Sequence, residues 1–211
     1  SVLAAGITFG GHLEPYLLPY LVLWTTLLLF FSSALWLPAN TWPGPRGLAG
    51  GVIGTLFVGA TLGSLTLLRN FGGEPEGWQW TFYLLLVIWG SDTGAYYVGR
   101  SFGKHPLSPR LSPNKTIEGA IAGLATGVVG GILSWSWFLP PKTSLWETCG
   151  VSLLLAITGI IGDLAESAMK RTGGTKDSGG IIPGHGGILD RLDSLMFTGP
   201  ILYMYLVWTT T

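Results

Sequence analysis

Apolar residues run along this chain in blocks of membrane-spanning length, separated by short polar stretches. Residues 16–37, 47–68, 78–98, 117–139, 145–169 and 188–208 form such blocks. A bilayer core about 30 Å thick needs roughly 20 apolar residues per helix, so each block is predicted to be a transmembrane helix. Residues 1–13 are apolar but short, and Gly10-Gly11-His12 interrupts them, which suits a partial span or an interfacial helix. Pro38, the Pro43-Gly44-Pro45-Arg46 turn and Pro140-Pro141 mark block ends, where proline cannot continue a helix. The predicted fold is all-α, a polytopic integral membrane helix bundle with about five to six transmembrane helices. N-terminal transmembrane helices occupy residues 1–77; residues 78–211 form a second region with long polar loops at 99–116 and 170–188. The chain opens at Ser1 without the basic flank of a cleavable signal peptide. That fits either processing or a longer parent chain with earlier spans.

Composition sharpens this picture. Charged residues make up 10% of the chain against 48% hydrophobic ones, far below the roughly 25% charge of soluble domains. Formal net charge is zero, so no nucleic-acid partner is expected. Cys149 is the single cysteine; it can form no intramolecular disulfide and reads as a small buried residue. Arg100, Lys104, Arg110 and Lys115 fall in loop 99–116, and Lys170, Arg171 and Lys176 in loop 170–188. Two spans separate these loops, so they share a side, and their bases place that side in the cytoplasm. Gly119, Gly123, Gly127 and Gly131 recur every fourth residue, as do Gly50 with Gly54 and Gly59 with Gly63. Such stripes allow close helix approach, either within one chain or across a homodimer contact.

The chemistry concentrates between Asp163 and Asp193, where five acids, four bases and His185 sit between two apolar blocks. Ionisable groups near lipid are costly without a use or a partner. On a helix, Asp163, Glu166, Ser167 and Lys170 share one face. Asp190 and Asp193 share another, and adjacent antiparallel helices would let Asp163 and Asp190 converge. Paired carboxylates suit Mg²⁺ held together with substrate phosphates. The glycine-rich segment 173–187 suits a phosphate cradle, with exposed backbone N–H groups, although no Walker A spacing is present. Ser91, Asp92 and Thr93 place small polar groups at a membrane edge, and Lys104, Arg110 and Lys115 add positive charge on the same side. Thr116 or Asn114 suits a helix N-cap, and Glu118 complements the helix dipole. His12 and His105 read as structural, whereas His185 lies in a segment whose glycines imply a backbone-critical loop.

Ser167, Lys170, Arg171, Lys176, Asp177, Pro183, His185, Gly186, Gly187, Asp190, Arg191 and Asp193 match the pattern S-x-x-K-R-x4-K-D-x5-P-x-H-G-G-x-x-D-R-x-D at every fixed position. This resembles the signature of the phosphatidate cytidylyltransferases (CDP-diacylglycerol synthases). SDTGAYYVGRSFGK and LSPNKTIEG are similar to that family too, and the likeness extends over about residues 85–211. The resemblance implies transfer of the cytidylyl group of CTP to phosphatidic acid in phospholipid biosynthesis, giving CDP-diacylglycerol and pyrophosphate. It implies Mg²⁺, with K⁺ beside it, and Asp163 and Asp190 as the metal-binding pair. Asp163, Lys170 and Asp190 are the expected catalytic residues. Ser91, Asp92, Lys104, Lys115, Ser167, Arg171, Lys176, Asp177, His185, Arg191 and Asp193 are the expected substrate contacts. The expected partners are CTP, phosphatidic acid and membrane lipid. The expected location is a bacterial-type inner membrane or its equivalent, with the active site facing the cytoplasm. Two alternatives stand beside this reading. A CTP-dependent polyprenol or dolichol kinase would release CDP, and a membrane transporter would show inverted repeats, of which the sequence carries none.

Overall fold

The computed structural model describes residues 58–109, 111–172 and 192–210. Predicted span 16–37 and segment 1–13 lie outside these residues, and only the end of span 47–68 is described, as a helix over 58–69. Contacts divide the chain into Ser1–Thr66 and Leu67–Thr211; the elements below belong to the second unit. Helix α1 runs Glu76–Phe102, α2 Ile117–Trp137, α3 Leu145–Thr172 and α4 Asp193–Thr210. A two-stranded antiparallel hairpin, β1 Pro106–Ser108 and β2 Ser112–Thr116, joins α1 to α2. Before α1, Gly72 and Gly73 turn the chain with φ of +67° and +75°, a conformation that residues with a Cβ adopt only at a cost.

Each helix packs antiparallel on the next. Gly119 of α2 lies against Ala95 and Gly99, Gly123 against Ser91, and Gly130 against Leu86, so α2 ascends as α1 descends. Gly127 meets Ala156 and Gly131 meets Ser152, which sets α3 against α2 in the same sense. Gly159 and Gly162 of α3 face Ser194, Phe197 and Thr198 of α4. A Cβ at Gly119 or Gly130 would stand 2.7 Å from a backbone carbonyl oxygen of α1, and one at Gly123 would stand 2.9 Å from another. The glycine stripe of α2 is therefore packed against α1 and α3 of the same chain.

The buried face of α2 is Gly119, Gly123, Gly127, Gly130, Gly131 and Ser134, while Ile121, Val129 and Leu133 point outward. Phe82, Trp89, Leu153, Leu154, Ile157, Ile161 and Met204 are exposed as well. Small residues inside and large apolar ones outside suit a lipid surround, where helices associate by close packing rather than by hiding hydrocarbon. α2 and Leu145–Ala168 of α3 are long and apolar enough to cross a membrane. Among the described residues the interior is Tyr83, Leu84 and Val87 of α1, Leu155 and Ala156 of α3 and Leu202 of α4. Tyr83 brings a hydroxyl there, which lies 2.8 Å from Ser152 Oγ and donates to Thr148 O at 3.3 Å. That bond between α1 and α3 satisfies a hydroxyl that would otherwise be costly to bury.

The expectation of an all-α chain with an open loop at 99–116 needs correction. α1 continues to Phe102, and the rest of the segment forms the hairpin. The cause is Glu118 in the first turn of α2. Its carboxylate accepts from the backbone N–H groups of Lys104 (3.1 Å) and His105 (3.2 Å) and lies 2.5 Å from His105 Nδ1. Ile117 N donates to His105 O at 2.9 Å, and Thr116 caps α2 by accepting from Gly119 N at 3.2 Å. Both ends of the segment are thus tied to one helix start, and pairing across the hairpin satisfies backbone groups between them.

Candidate functional site

The site is built where α1 and α3 end and α2 and α4 begin. Within α3, Asp163 and Glu166 stand one turn apart, and Lys170 Nζ donates to Glu166 Oε2 at 3.0 Å. This pair is sheltered, with the glutamate side chain only 5% exposed. From β2, Lys115 Nζ pairs with Asp163 Oδ2. Lys115 owes its place to Thr116 and Glu118, which fix the hairpin on α2. The paired side chains are 30% and 29% exposed, so solvent still reaches them. Burial pushes the Lys115 ammonium below its ordinary value, while the carboxylates of Asp193 and Asp92 pull the other way.

α4 contributes Asp193 at its first residue, where Oδ1 accepts from Ser194 N at 2.6 Å. Carboxylate oxygens of Asp163, Glu166 and Asp193 all lie within 4.8 Å of one another. Three carboxylates so close repel unless cations stand among them. Lys115 and Lys170 supply part of that charge. The donor set, all hard oxygen, suits a divalent cation such as Mg²⁺, and the ammonium seated on Asp163 marks a place where a cation is held.

Beside this cluster opens a cavity of about 520 Å³. Ser91, Asp92, Ala95, Tyr96, Gly99 and Arg100 of α1 form one wall; Leu107, Ser112, Asn114, Lys115 and Thr116 of the hairpin form another. Gly119 and Ala120 of α2 and Ile160 and Asp163 of α3 complete the lining. The space exists because small residues stand on the facing walls. Arg100 donates to Tyr96 Oη at 2.7 Å, so a guanidinium and a phenol are presented together.

Of the residues expected from sequence, Ser91, Asp92, Lys115 and Asp163 meet at this cavity. Lys170 and Asp193 join through the carboxylate cluster. Ser167 is half-buried on α3. Lys104 is fastened to Glu118 by its backbone and is not among the cavity-lining residues. Arg171 lies in α3. Lys176, Asp177, His185, Asp190 and Arg191 lie outside the described residues, and with them half of the expected Asp163–Asp190 metal pair. Sequence reasoning placed Glu166 on the right face but left it out of the site. Its signal was the i, i+4 spacing to Lys170. Tyr96, Arg100, Asn114 and Thr116 were also left out; Arg100 one turn beyond Tyr96 was the available clue.

Small residues turned inward, large apolar ones turned outward and charge-paired carboxylates at one end define a helical bundle of membrane character with a polar terminal site. Residues 5–209 match the cytidylyltransferase family, and the chain belongs to it. It is 43% identical over 170 residues to the phosphatidate cytidylyltransferase of Brucella suis biovar 1 (strain 1330), covering 81% of this chain and 58% of the relative. To the phosphatidate cytidylyltransferase of Staphylococcus aureus (strain COL) it is 48% identical over 134 residues, covering 64% of this chain and 51% of the relative. The chain thus spans about half the length of the curated relatives it matches.

Proposed function

We propose that this chain carries the catalytic region of a phosphatidate cytidylyltransferase. It would transfer the cytidylyl group of CTP to phosphatidic acid, releasing pyrophosphate and leaving CDP-diacylglycerol in the membrane. A phosphate oxygen of phosphatidate bonds to the α-phosphorus of CTP as the α–β phosphoanhydride breaks. The attacking oxygen is already anionic, so the main demands are bringing two polyanions together and holding them in line. Lys115 beside the cavity and Lys170 beside Glu166 carry the positive charge for this, with Lys104, Arg171, Lys176 and Arg191 as further phosphate contacts. Mg²⁺, accompanied by K⁺, would be held by Asp163 with Asp190, and Glu166 and Asp193 are within reach of the same place. A bound divalent cation there supplies neutralisation of the triphosphate and of the leaving pyrophosphate.

The observation that carries this reading is the meeting of Lys115 and Lys170 with Asp163, Glu166 and Asp193 beside an open cavity. It lies in a chain whose family and relatives handle cytidine nucleotides by name. We further propose a multi-pass topology of about five to six spans, with the site end in the cytoplasm, following the basic residues of both polar segments. Phosphatidate then enters from the inner leaflet with its phosphate at the depth of Asp163. The test is incubation of purified full-length protein with labelled CTP, phosphatidate and Mg²⁺, with and without chelator. CDP-diacylglycerol with pyrophosphate is expected, and only without chelator. Release of CDP with a phosphorylated lipid would instead indicate a lipid kinase.

A further inference from the structure

Lys115 and Asp163 form an ion pair that joins the hairpin to α3 at the place where a metal is proposed to bind. The ammonium sits on Asp163 Oδ2, and a divalent cation bound to the same carboxylate would repel it at close range. Around it stand four carboxylates, Asp163, Glu166, Asp193 and Asp92, against the two ammonium groups of Lys115 and Lys170. Among these described groups the formal sum is 2 − 4 = −2, which a divalent cation cancels. Lys115 also lines the cavity, together with Arg100 and Asn114. Its side chain is 30% exposed, and its four-carbon stem allows the ammonium to swing without moving the hairpin. A polyanion in that cavity offers the ammonium a second partner.

We propose that Lys115 is an exchanging cation: it occupies Asp163 before metal binds, and a bound divalent cation displaces it toward the phosphates of the nucleotide. The lysine thereby couples the two ligands. Metal alone must compete with the ammonium for Asp163. Metal with nucleotide need not, because the ammonium gains phosphate contacts as it leaves. Coupling through one shared group acts equally on both ligands. The inference rests on the metal reading given above.

The test is Mn²⁺ binding to the full-length protein in nanodiscs, followed by electron paramagnetic resonance with and without α,β-methylene-CTP. In the unsubstituted protein the nucleotide analogue should tighten Mn²⁺ binding. Lys115→Met should bind Mn²⁺ alone about tenfold more tightly and lose most of the nucleotide-dependent gain. Lys115→Arg keeps a cation on Asp163, so its affinity for Mn²⁺ alone should stay near that of the unsubstituted protein. Equal tightening with and without the analogue in Lys115→Met would mean that only charge was removed, and would overturn the exchange. So would an unchanged affinity. Asp163→Asn separates the two readings. If it leaves Mn²⁺ binding intact, the metal assignment itself fails; if it abolishes binding while Lys115→Met changes nothing, only the exchange fails. Melting temperatures of all variants guard against loss of fold.

Discussion

Asp163 is the residue on which the site turns, because it faces the hairpin, the cavity and the neighbouring carboxylates at once. Asp163→Asn keeps the shape and removes the charge. It should lower turnover by about a hundredfold or more, the usual consequence of losing a preorganised charged group, while the protein still inserts and melts near its original temperature. Asp190→Asn should behave alike. Initial rates on purified protein with a melting curve check both, and near-normal rates in both variants would remove the metal-pair assignment. Lys170→Met is expected to cost stability as well as rate, because Glu166 is 4% exposed and loses a 3.0 Å ion-pair partner. Asp163 and Lys170 were legible in the sequence because helical periodicity puts them on one face. Lys115 opposite Asp163 was not, since no local rule spans the 48 residues between them.

Among the described elements, the helices were legible to within a few residues because a long unbroken apolar block favours one continuous helix. Predicted 117–139 became Ile117–Trp137, and predicted 78–98 became Glu76–Phe102. The hairpin was hidden, since Pro106–Ser108 and Ser112–Thr116 carry no alternating pattern. They pair because Glu118 and Thr116 bring their outer ends to α2, and such tertiary ties override local propensity. Glu118→Ala should therefore free backbone N–H groups of Lys104 and His105, loosen the hairpin and displace Lys115. Faster amide exchange at His105 and a raised KM for CTP are the expected readings, with little change in overall melting. Gly130→Ala acts differently, far from the site. Its new Cβ would stand 2.7 Å from the Leu86 carbonyl oxygen and force α1 from α2, at about 1–3 kcal/mol of stability, the common cost of overpacking. Reversible unfolding in mixed micelles measures it, and the folded fraction should keep its specific activity.

At the scale of the molecule, the two ends of the described bundle differ in chemistry, and that difference supports the orientation proposed above. One end gathers Asp163, Glu166, Asp193, Lys115 and Lys170 with the hairpin. The other presents Trp137, Trp146 and Trp208, each more than four-fifths exposed at 83%, 83% and 82%. Exposed tryptophans at helix ends suit the headgroup region of a bilayer, where an amphipathic ring is at home. The same end closes on surface pairs, Lys142 with Glu76 at 3.0 Å and Tyr205 with Glu147; exposed ion pairs contribute little to stability. The proposed topology puts these two ends in opposite compartments. Ser101, exposed near the end of α1, and Ser144, exposed before α3, lie on either side of α2. In a Cys149→Ser background, Ser101→Cys should react with a membrane-impermeant maleimide only in inverted vesicles, and Ser144→Cys only in intact cells. Labelling of both from one side would mean that α2 does not cross the membrane, and the inward-facing glycines would then serve a bundle lying on the membrane rather than through it.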